Sequence, residues 1–540
     1  MLIKNLSSIK VTFFLLLGWF FSIIYSYFYI PPRDDDGIYF YPALTVLNDY
    51  PPGFFVDQIL IPVFFIFPLQ PFLNGIFLSF FEPNLYNYNL FNLIFVLPTL
   101  ILVGFFLKEI TSYSKQDYLA INVFLILISI TPFSTNFYVN RPENIGLFFL
   151  FLGLFLFTKN YNAKNIKILN FIFLHFVLGL SAICHPSFII LTFPIIAYIT
   201  FILFKSKTSF LIICAFLMAF ILPITLFSYW FLINIDTSID QLFNRANEIN
   251  PNNNLDFLNG LILIFRNTFF LSEESLIQKF YHSFFMISSF IGIVCFLLTI
   301  FNFKKVFSSP SKIILSIITI SSFIIILILP SYPPTILVFT FFLTIFLTFF
   351  LVKKLDRKNI NIQISYKNFI FTFFTTGLML VFTLLPIFTH LIKVNLSDKK
   401  YFNSQNTNSV VSNNLNNTKL IITTPQLIPT FASIINKNIK EKNDSFYWIF
   451  PGGQRQKPFP KMKKLFSKDI DNILKFNFKN QTIWGISKRD ISYYNSNDVC
   501  IKIRGNLFAI FLHDVLMIYE DRDNIFFKPS SFKKLDYKGC

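Results

Sequence analysis

Long apolar runs decide what this chain can fold into. A helix needs about 20 apolar residues to cross the hydrocarbon core of a bilayer. Runs of that kind recur near residues 11–30, 86–107, 118–137, 145–158, 168–183, 187–204, 209–233, 280–302, 313–330, 334–352 and 368–391. The fourth is short and needs to begin at Asn144 or earlier. Hydrophobic types make up 54% of the 540 residues and charged types 14%, against about 25% charged in an average soluble domain. A soluble core of this size would lack a charged shell, so a soluble enzyme is excluded. So are a disordered chain and a disulfide-rich secreted scaffold, since only five cysteines are present. The expectation is a polytopic all-α membrane domain with about eleven transmembrane helices.

Charge placement sets the topology. The net charge is +18, and the stretch from Asn395 onward holds 23 basic and 12 acidic residues. Lys and Arg between spans stay on the cytoplasmic side, which accounts for the basic excess without nucleic acid. With the amino terminus in the cytoplasm, the inside segments carry 17 bases, among them Lys108, Lys159, Lys205, Lys304 and Lys353. The outside loops before the tail carry five: Arg33, Arg141, Arg245, Arg266 and Lys279. Residues 54–81 are apolar enough to suggest another crossing. Pro62, Pro68, Pro71 and Asp57 interrupt them, and a full crossing would put the later Lys-rich loops outside. They are expected to form interfacial or re-entrant helices on the outer face. The first run is expected to be retained as an anchor, being long and without a small-residue cleavage site.

This register gives three regions. Residues 1–394 form the membrane domain, with a first outer loop at 31–84. A polar, Asn- and Ser-rich link follows at 395–418. Residues 419–540 form a small extracytoplasmic α/β domain, with strands expected at 419–424, 446–450, 482–486, 499–503, 508–512 and 515–519. A helix opening on Pro425 is expected to reach Asn436. Cys500 and Cys540 share this region, and their pairing is not expected, because sequence does not bring them together.

Acids near a bilayer are costly and tend to mark function. Three follow the first span directly, in Pro31-Pro32-Arg33-Asp34-Asp35-Asp36-Gly37, and an aromatic stretch, Ile38-Tyr39-Phe40-Tyr41, comes next. A solvated connector is the plain alternative for such a triplet. A second motif, Asn140-Arg141-Pro142-Glu143-Asn144, stands at the outer end of the third span, where an Arg–Glu pair capping helices is the plain alternative.

An acidic pair after the first transmembrane helix, in an outer loop with interfacial helices, resembles the GT-C glycosyltransferases. The layout is most similar to the branch of protein O-mannosyltransferases and bacterial aminoarabinose transferases, and many members of the superfamily carry an Arg-Pro-Glu similar to Arg141-Pro142-Glu143. The resemblance implies an inverting transfer of a sugar from a polyprenyl-phosphate donor to a lipid, glycan or protein acceptor, outside a membrane of the bacterial inner-membrane type. It singles out Asp35, then Asp36, as general base. Membrane lipids are expected contacts and nucleic acid is not.

The chemistry asks for these residue types independently. An attacking hydroxyl needs a positioned base, and one of Asp34, Asp35 and Asp36 can serve. The departing phosphate needs positive charge, for which the planar fork of Arg141 is suited, with Glu143 orienting it. Arg33, Arg245, Arg266 and His185 are further candidates for donor phosphates, although a histidine at a proline-containing turn such as Cys184-His185-Pro186-Ser187 is more often a helix cap. No metal-ligand spacing occurs, so no metal is required; a divalent ion held in part by Glu273 and Glu274 stays open. A transporter or flippase of lipid-linked saccharides is the alternative, as is an O-antigen ligase or polymerase. Transporters place ionisable groups near the midplane, whereas here the acids gather on one surface.

Overall fold

The computed structural model describes residues 9–29, 34–56, 59–62, 69–111, 118–129, 137, 140–161, 168–236, 238–239, 309–328, 333–357, 420–423, 425–441, 446–448, 482–488, 491–495, 497–503, 508–520 and 524–536. The chain divides into two compact units. One contains Met1–Ile23, Asn92–Ser228 and Asn254–Lys393; the other contains Ile24–Phe91, Tyr229–Asn253 and Val394–Cys540.

The apolar runs form helices where they are described. These are α1 (Ile9–Tyr29), α4 (Leu85–Ile110), α5 (Leu119–Ser129), α6 (Pro142–Tyr161), α7 (Ile168–Ala182), α8 (Pro186–Lys205), α9 (Phe210–Ile233), α10 (Pro310–Ile328) and α11 (Pro333–Arg357). Among the described residues α4, α6, α8 and α9 are long and apolar enough to cross a membrane. The expected runs at 280–302 and 368–391 lie outside the described residues, so the count of eleven stays an expectation. α6 begins at Pro142, before the limit the short fourth run demanded.

The first unit is packed by aromatic rings and by close helix approaches. Phe151 on α6 meets Phe106 of α4 and Phe341 of α11 edge-on, with centroids 5.8 and 5.9 Å apart. Such geometry aligns ring edges with ring faces and is one use of the 78 phenylalanines. Trp19 of α1 donates its indole N–H to the Leu125 carbonyl at 3.4 Å and stands edge-on to Phe137. Small residues let helices touch, as is usual where no hydrophobic drive separates helix from lipid. A Cβ on Gly153 would lie 2.7 Å from the Leu178 side chain, and one on Gly146 would lie 2.8 Å from the Phe188 ring. α9 leaves Leu211, Met218, Leu222, Leu226 and Leu232 exposed, an outer face that suits lipid rather than water.

The second unit is built around α2 (Asp34–Leu47), which starts on the acidic triplet. After Asp36 its residues from Tyr39 through Thr45 are all buried. Thr45 ties its last turn to the hairpin: the hydroxyl donates to the Pro42 carbonyl at 2.8 Å, and the Gly53 N–H donates to it at 3.2 Å. Asp49, at φ 62°, then turns the chain through the left-handed region. Residues 53–62 form an antiparallel hairpin, β1 (Gly53–Val56) with β2 (Ile59–Pro62), where helices were expected. Phe54, Phe55, Val56, Ile59 and Ile61 are β-formers, and their pairing overrides the interfacial-helix pattern. Helix α3 (Leu69–Leu78) follows, about 15 Å long and far too short to cross a bilayer. It buries Gln70 and Asn74 and exposes Phe72 and Ile76, with Phe80 and Phe81 exposed just after it. That inversion of the usual pattern fits a face laid on lipid.

The C-terminal region forms a seven-stranded mixed sheet in the order β4-β3-β5-β9-β8-β7-β6. Its strands are β3 (Leu420–Thr423), β4 (Phe446–Trp448), β5 (Thr482–Ser487), β6 (Ile491–Tyr494), β7 (Val499–Ile503), β8 (Phe508–Glu520) and β9 (Asn524–Asp536). β3 runs parallel to both β4 and β5, and the other pairs are antiparallel. The helix expected from Pro425 is a 3₁₀ helix, Pro425–Phe431, continued by α12 (Ala432–Glu441). Pro429 lacks the N–H that an α-ladder needs, which favours the tighter form. Two short strands expected at 508–519 are one strand, because Asp514 takes φ 46° without ending the ladder to β9. β6 and β9 were not anticipated. Cys500, buried on β7, is disulfide-bonded; Cys540, the pairing weighed for it, lies outside the described residues.

Alternation along the strands sends Ile421, Ile483 and Phe526 into the core that surrounds α2, and Ile422, Trp484 and Phe527 into a second core. The segment that follows α1 and the C-terminal region therefore share one hydrophobic core.

Gly75 controls the approach of α3 to α2. A Cβ there would lie 2.6 Å from the Val46 Cβ and 2.9 Å from the Ala43 carbonyl oxygen, which is backbone and cannot yield. Gly75→Val should destabilise the unit by about 1–3 kcal/mol and lower its unfolding midpoint in detergent. An unchanged midpoint and unchanged protease resistance of the α2 segment would contradict this packing.

Candidate functional site

The acidic triplet occupies one place in the fold. Asp34, Asp35 and Asp36 are the first three residues of α2. A helix N-terminus presents unsatisfied N–H groups and a positive potential, so carboxylates are favoured there and favoured in ionised form. This alone explains acids at the position. Successive helix positions are about 100° apart, so the three stand on different sides of the helix axis.

The Asn140–Asn144 motif lies in the first unit, where α6 starts on Pro142. Proline at a first helical position costs nothing, because its missing N–H would be unsatisfied there anyway. The guanidinium of Arg141 donates to both Glu143 oxygens, from Nε at 3.1 Å and from Nη2 at 3.0 Å. Arg141 is 6% exposed and Glu143 fully buried. Burial strips the Glu143 carboxylate of water, and Arg141 supplies the largest opposing positive field, with His185 adding to it. A two-pronged pair of this kind holds the guanidinium plane in one orientation.

Residues 181–188 come beside this pair. Ser181 of α7 donates its hydroxyl to the Gly146 carbonyl at 2.9 Å, and the bare Cα of Gly146 admits Phe188 of α8. His185 is the N-cap of α8: its backbone is extended, Pro186 follows, and Nδ1 accepts the Ser187 N–H at 3.3 Å. With Nδ1 accepting, the ring proton of neutral His185 resides on Nε2. Cys184 is buried and reduced, 3.3 Å from the Leu180 carbonyl.

A buried asparagine layer supports Arg141, and the sequence reading passed over it. Asn92 of α4 donates to the Phe137 carbonyl at 2.9 Å and accepts from Asn144 Nδ2 at 2.9 Å. It therefore grips the chain on both sides of Arg141. The available signal was Asn92 itself, a polar residue inside an apolar run. His175 is a core histidine of α7 that donates Nδ1–H to the Phe171 carbonyl and stacks on Phe216.

Arg33, Arg245, Arg266, Glu273 and Glu274 lie outside the described residues. Of the remaining candidates, the structure brings Arg141, Glu143 and His185 together in the first unit and sets the aspartates on α2 in the second. Among the described residues no three His, Cys, Asp or Glu side chains converge as metal ligands would.

No family model matches the chain, and no curated protein matches it in sequence. Among solved structures it is similar to ArnT from Cupriavidus metallidurans in the apo state, with a TM-score of 0.54 and 10% identity over 96% of this chain and 97% of that one. The same protein bound to undecaprenyl phosphate gives a TM-score of 0.53 at 10% identity, with the same coverage. The apo oligosaccharyltransferase of Archaeoglobus fulgidus is more distant, at a TM-score of 0.49 and 12% identity, covering 78% of this chain and 63% of that one. The chain shares the fold of ArnT along nearly its whole length.

Breaking the buried pair exposes its electrostatics. Glu143→Ala leaves a buried guanidinium without its counter-charge and should cost about 3–5 kcal/mol. The double variant Arg141→Met with Glu143→Leu removes both charges and should recover most of that loss, read as the unfolding midpoint in detergent. A double variant as unstable as the single one would mean that shape, not charge, dominates there.

Proposed function

We propose that this chain is an integral-membrane glycosyltransferase that moves a sugar from a polyprenyl-phosphate donor to an acceptor hydroxyl on the extracytoplasmic face, with inversion. The observation that carries the reading is the buried Arg141–Glu143 pair at the start of α6, on the fold shared with ArnT. A charged pair is expensive to keep in an apolar unit, and its retention is accounted for when the guanidinium has an anion to meet. The N-terminus of α6 adds positive potential at the same place.

The reaction is a single displacement. The acceptor oxygen forms a bond to the anomeric carbon as the bond from that carbon to the phosphate oxygen breaks, and the acceptor proton passes to a carboxylate. Asp35 is assigned that proton, with Asp36 second; Asp34, as the first residue of α2, is assigned the helix terminus. Arg141 takes the charge that grows on the departing polyprenyl phosphate, and Glu143 orients it. His185 caps α8 and adds positive charge when protonated. An extracytoplasmic C-terminal domain is supported by the disulfide at Cys500, since disulfides persist in oxidising compartments.

The test uses purified protein in detergent with a panel of polyprenyl-phosphate sugars, following release of polyprenyl phosphate. Asp35→Asn should lower kcat by about 100-fold or more. Arg141→Ala should raise the donor KM as well as lower kcat. Full turnover in Asp35→Asn, in Asp36→Asn and in the double variant would remove these acids from the reaction. No release from any donor, together with movement of a lipid-linked saccharide across reconstituted vesicles, would replace the transferase with a transporter.

A further inference from the structure

α2 carries the acidic triplet in its first turn and is enclosed thereafter. Three of its supports are its own sequence neighbours. α3 meets it at Gly75, the start of α4 brings the Tyr88 ring edge-on to Phe40 at 4.9 Å, and the hairpin is tied through Thr45. The fourth support comes from the far end of the chain. Leu427, Ile428 and Phe431 of the 3₁₀ helix, with Ile435 and Ile439 on one face of α12, are buried in the same core as Tyr39, Phe40, Ala43 and Leu44.

One polar contact fixes this support. Asn48 Nδ2 donates to the Leu44 carbonyl at 2.7 Å and to Asn436 Oδ1 at 2.6 Å, across 388 residues of sequence. The Leu44 carbonyl can only accept, so the Asn48 nitrogen is set on that side, and Asn436 must present its oxygen. Asn436 stands one position from Ile435, at the edge of the apolar contact, where a directional bond sets the rotation of α2 that apolar packing alone leaves loose.

We infer that the C-terminal domain is a clamp for the acidic helix, with Phe431 and Asn436 as positioning residues that fix where the first turn of α2 stands. The inference rests on the reading of Asp35 as the base. A misplacement of about 1 Å in a reacting group costs about 100-fold in rate, so a helix held from both ends of the chain is a helix whose tilt the C-terminal domain controls. The clamp acts on turnover rather than on donor affinity, because the phosphate is assigned to Arg141 in the other unit.

The experiment compares Phe431→Ala, Asn436→Leu and Asn436→Asp in the full-length protein. Hydrogen exchange is read on α2 and on β8 and β9, and steady-state kinetics on the polyprenyl-phosphate donor. Phe431→Ala and Asn436→Leu should speed exchange in α2 while the sheet amides keep their protection, and should lower kcat about 10- to 100-fold with donor KM unchanged. Asn436→Asp keeps the acceptor oxygen and should retain both wild-type exchange and wild-type kcat. Unchanged α2 exchange in both disruptive variants overturns the clamp whatever the activity does. Faster α2 exchange with wild-type kcat also overturns it. If Phe431→Ala loses sheet protection as well, the Asn436 pair decides alone. Asp35→Asn, assayed alongside, scores the base separately: full turnover there removes the base, while the exchange result still decides whether the domain holds the helix.

Discussion

A helix that begins with three aspartates would, in isolation, lie at a wet surface. Here the residues that follow those aspartates are closed in by apolar side chains, and the groups that close them in come from both ends of the chain. That burial is the constraint on which the second unit depends. It requires α3 to come close enough that only a bare Cα fits at Gly75. It requires the C-terminal strands to alternate so that Ile421, Ile483 and Phe526 face α2.

The first unit solves a different problem. Its helices are apolar nearly all round, so specificity comes from shape and from a few polar groups. Phenylalanine edges meet faces, glycines admit neighbouring rings, and hydroxyls of Ser181 and Thr192 return to backbone carbonyls within the bundle. Against that background the Arg141–Glu143 pair and the Asn92–Asn144 contact stand out, since each buried polar atom without a partner would cost about 1–3 kcal/mol. Polar groups at such cost hold the start of α6 in a single arrangement.

Much of this was legible in the residues. Apolar runs longer than a bilayer core announce helices whatever their packing, and α4, α6, α8 and α9 follow within a few residues of expectation. The strand at 499–503 was read with its observed bounds, because its flanks are polar. Other elements were hidden for identifiable reasons. β9 contains Pro529 and a Ser-Ser pair, which read as a turn, and it becomes a strand through its partner β8. The hairpin at 53–62 was masked by prolines and aromatics that also suit an interfacial helix. The role of His185 as a cap was one of two readings, and geometry at Ser187 selects it locally.

Local composition by itself determined that the chain enters a membrane, where its helices run and where its acids cluster, because each of those properties depends on a window of a few to about 20 residues. Tertiary structure alone decided which distant segments share a core. Asn48 and Asn436 are ordinary polar residues 388 positions apart, and nothing in either neighbourhood encodes the other. Their contact exists because two apolar surfaces, one on α2 and one on the 3₁₀ helix and α12, are each too small to be buried alone. Hydrophobic burial is non-directional. It draws such surfaces together without specifying the match, and the match is made by side-chain shape and one hydrogen bond once they meet.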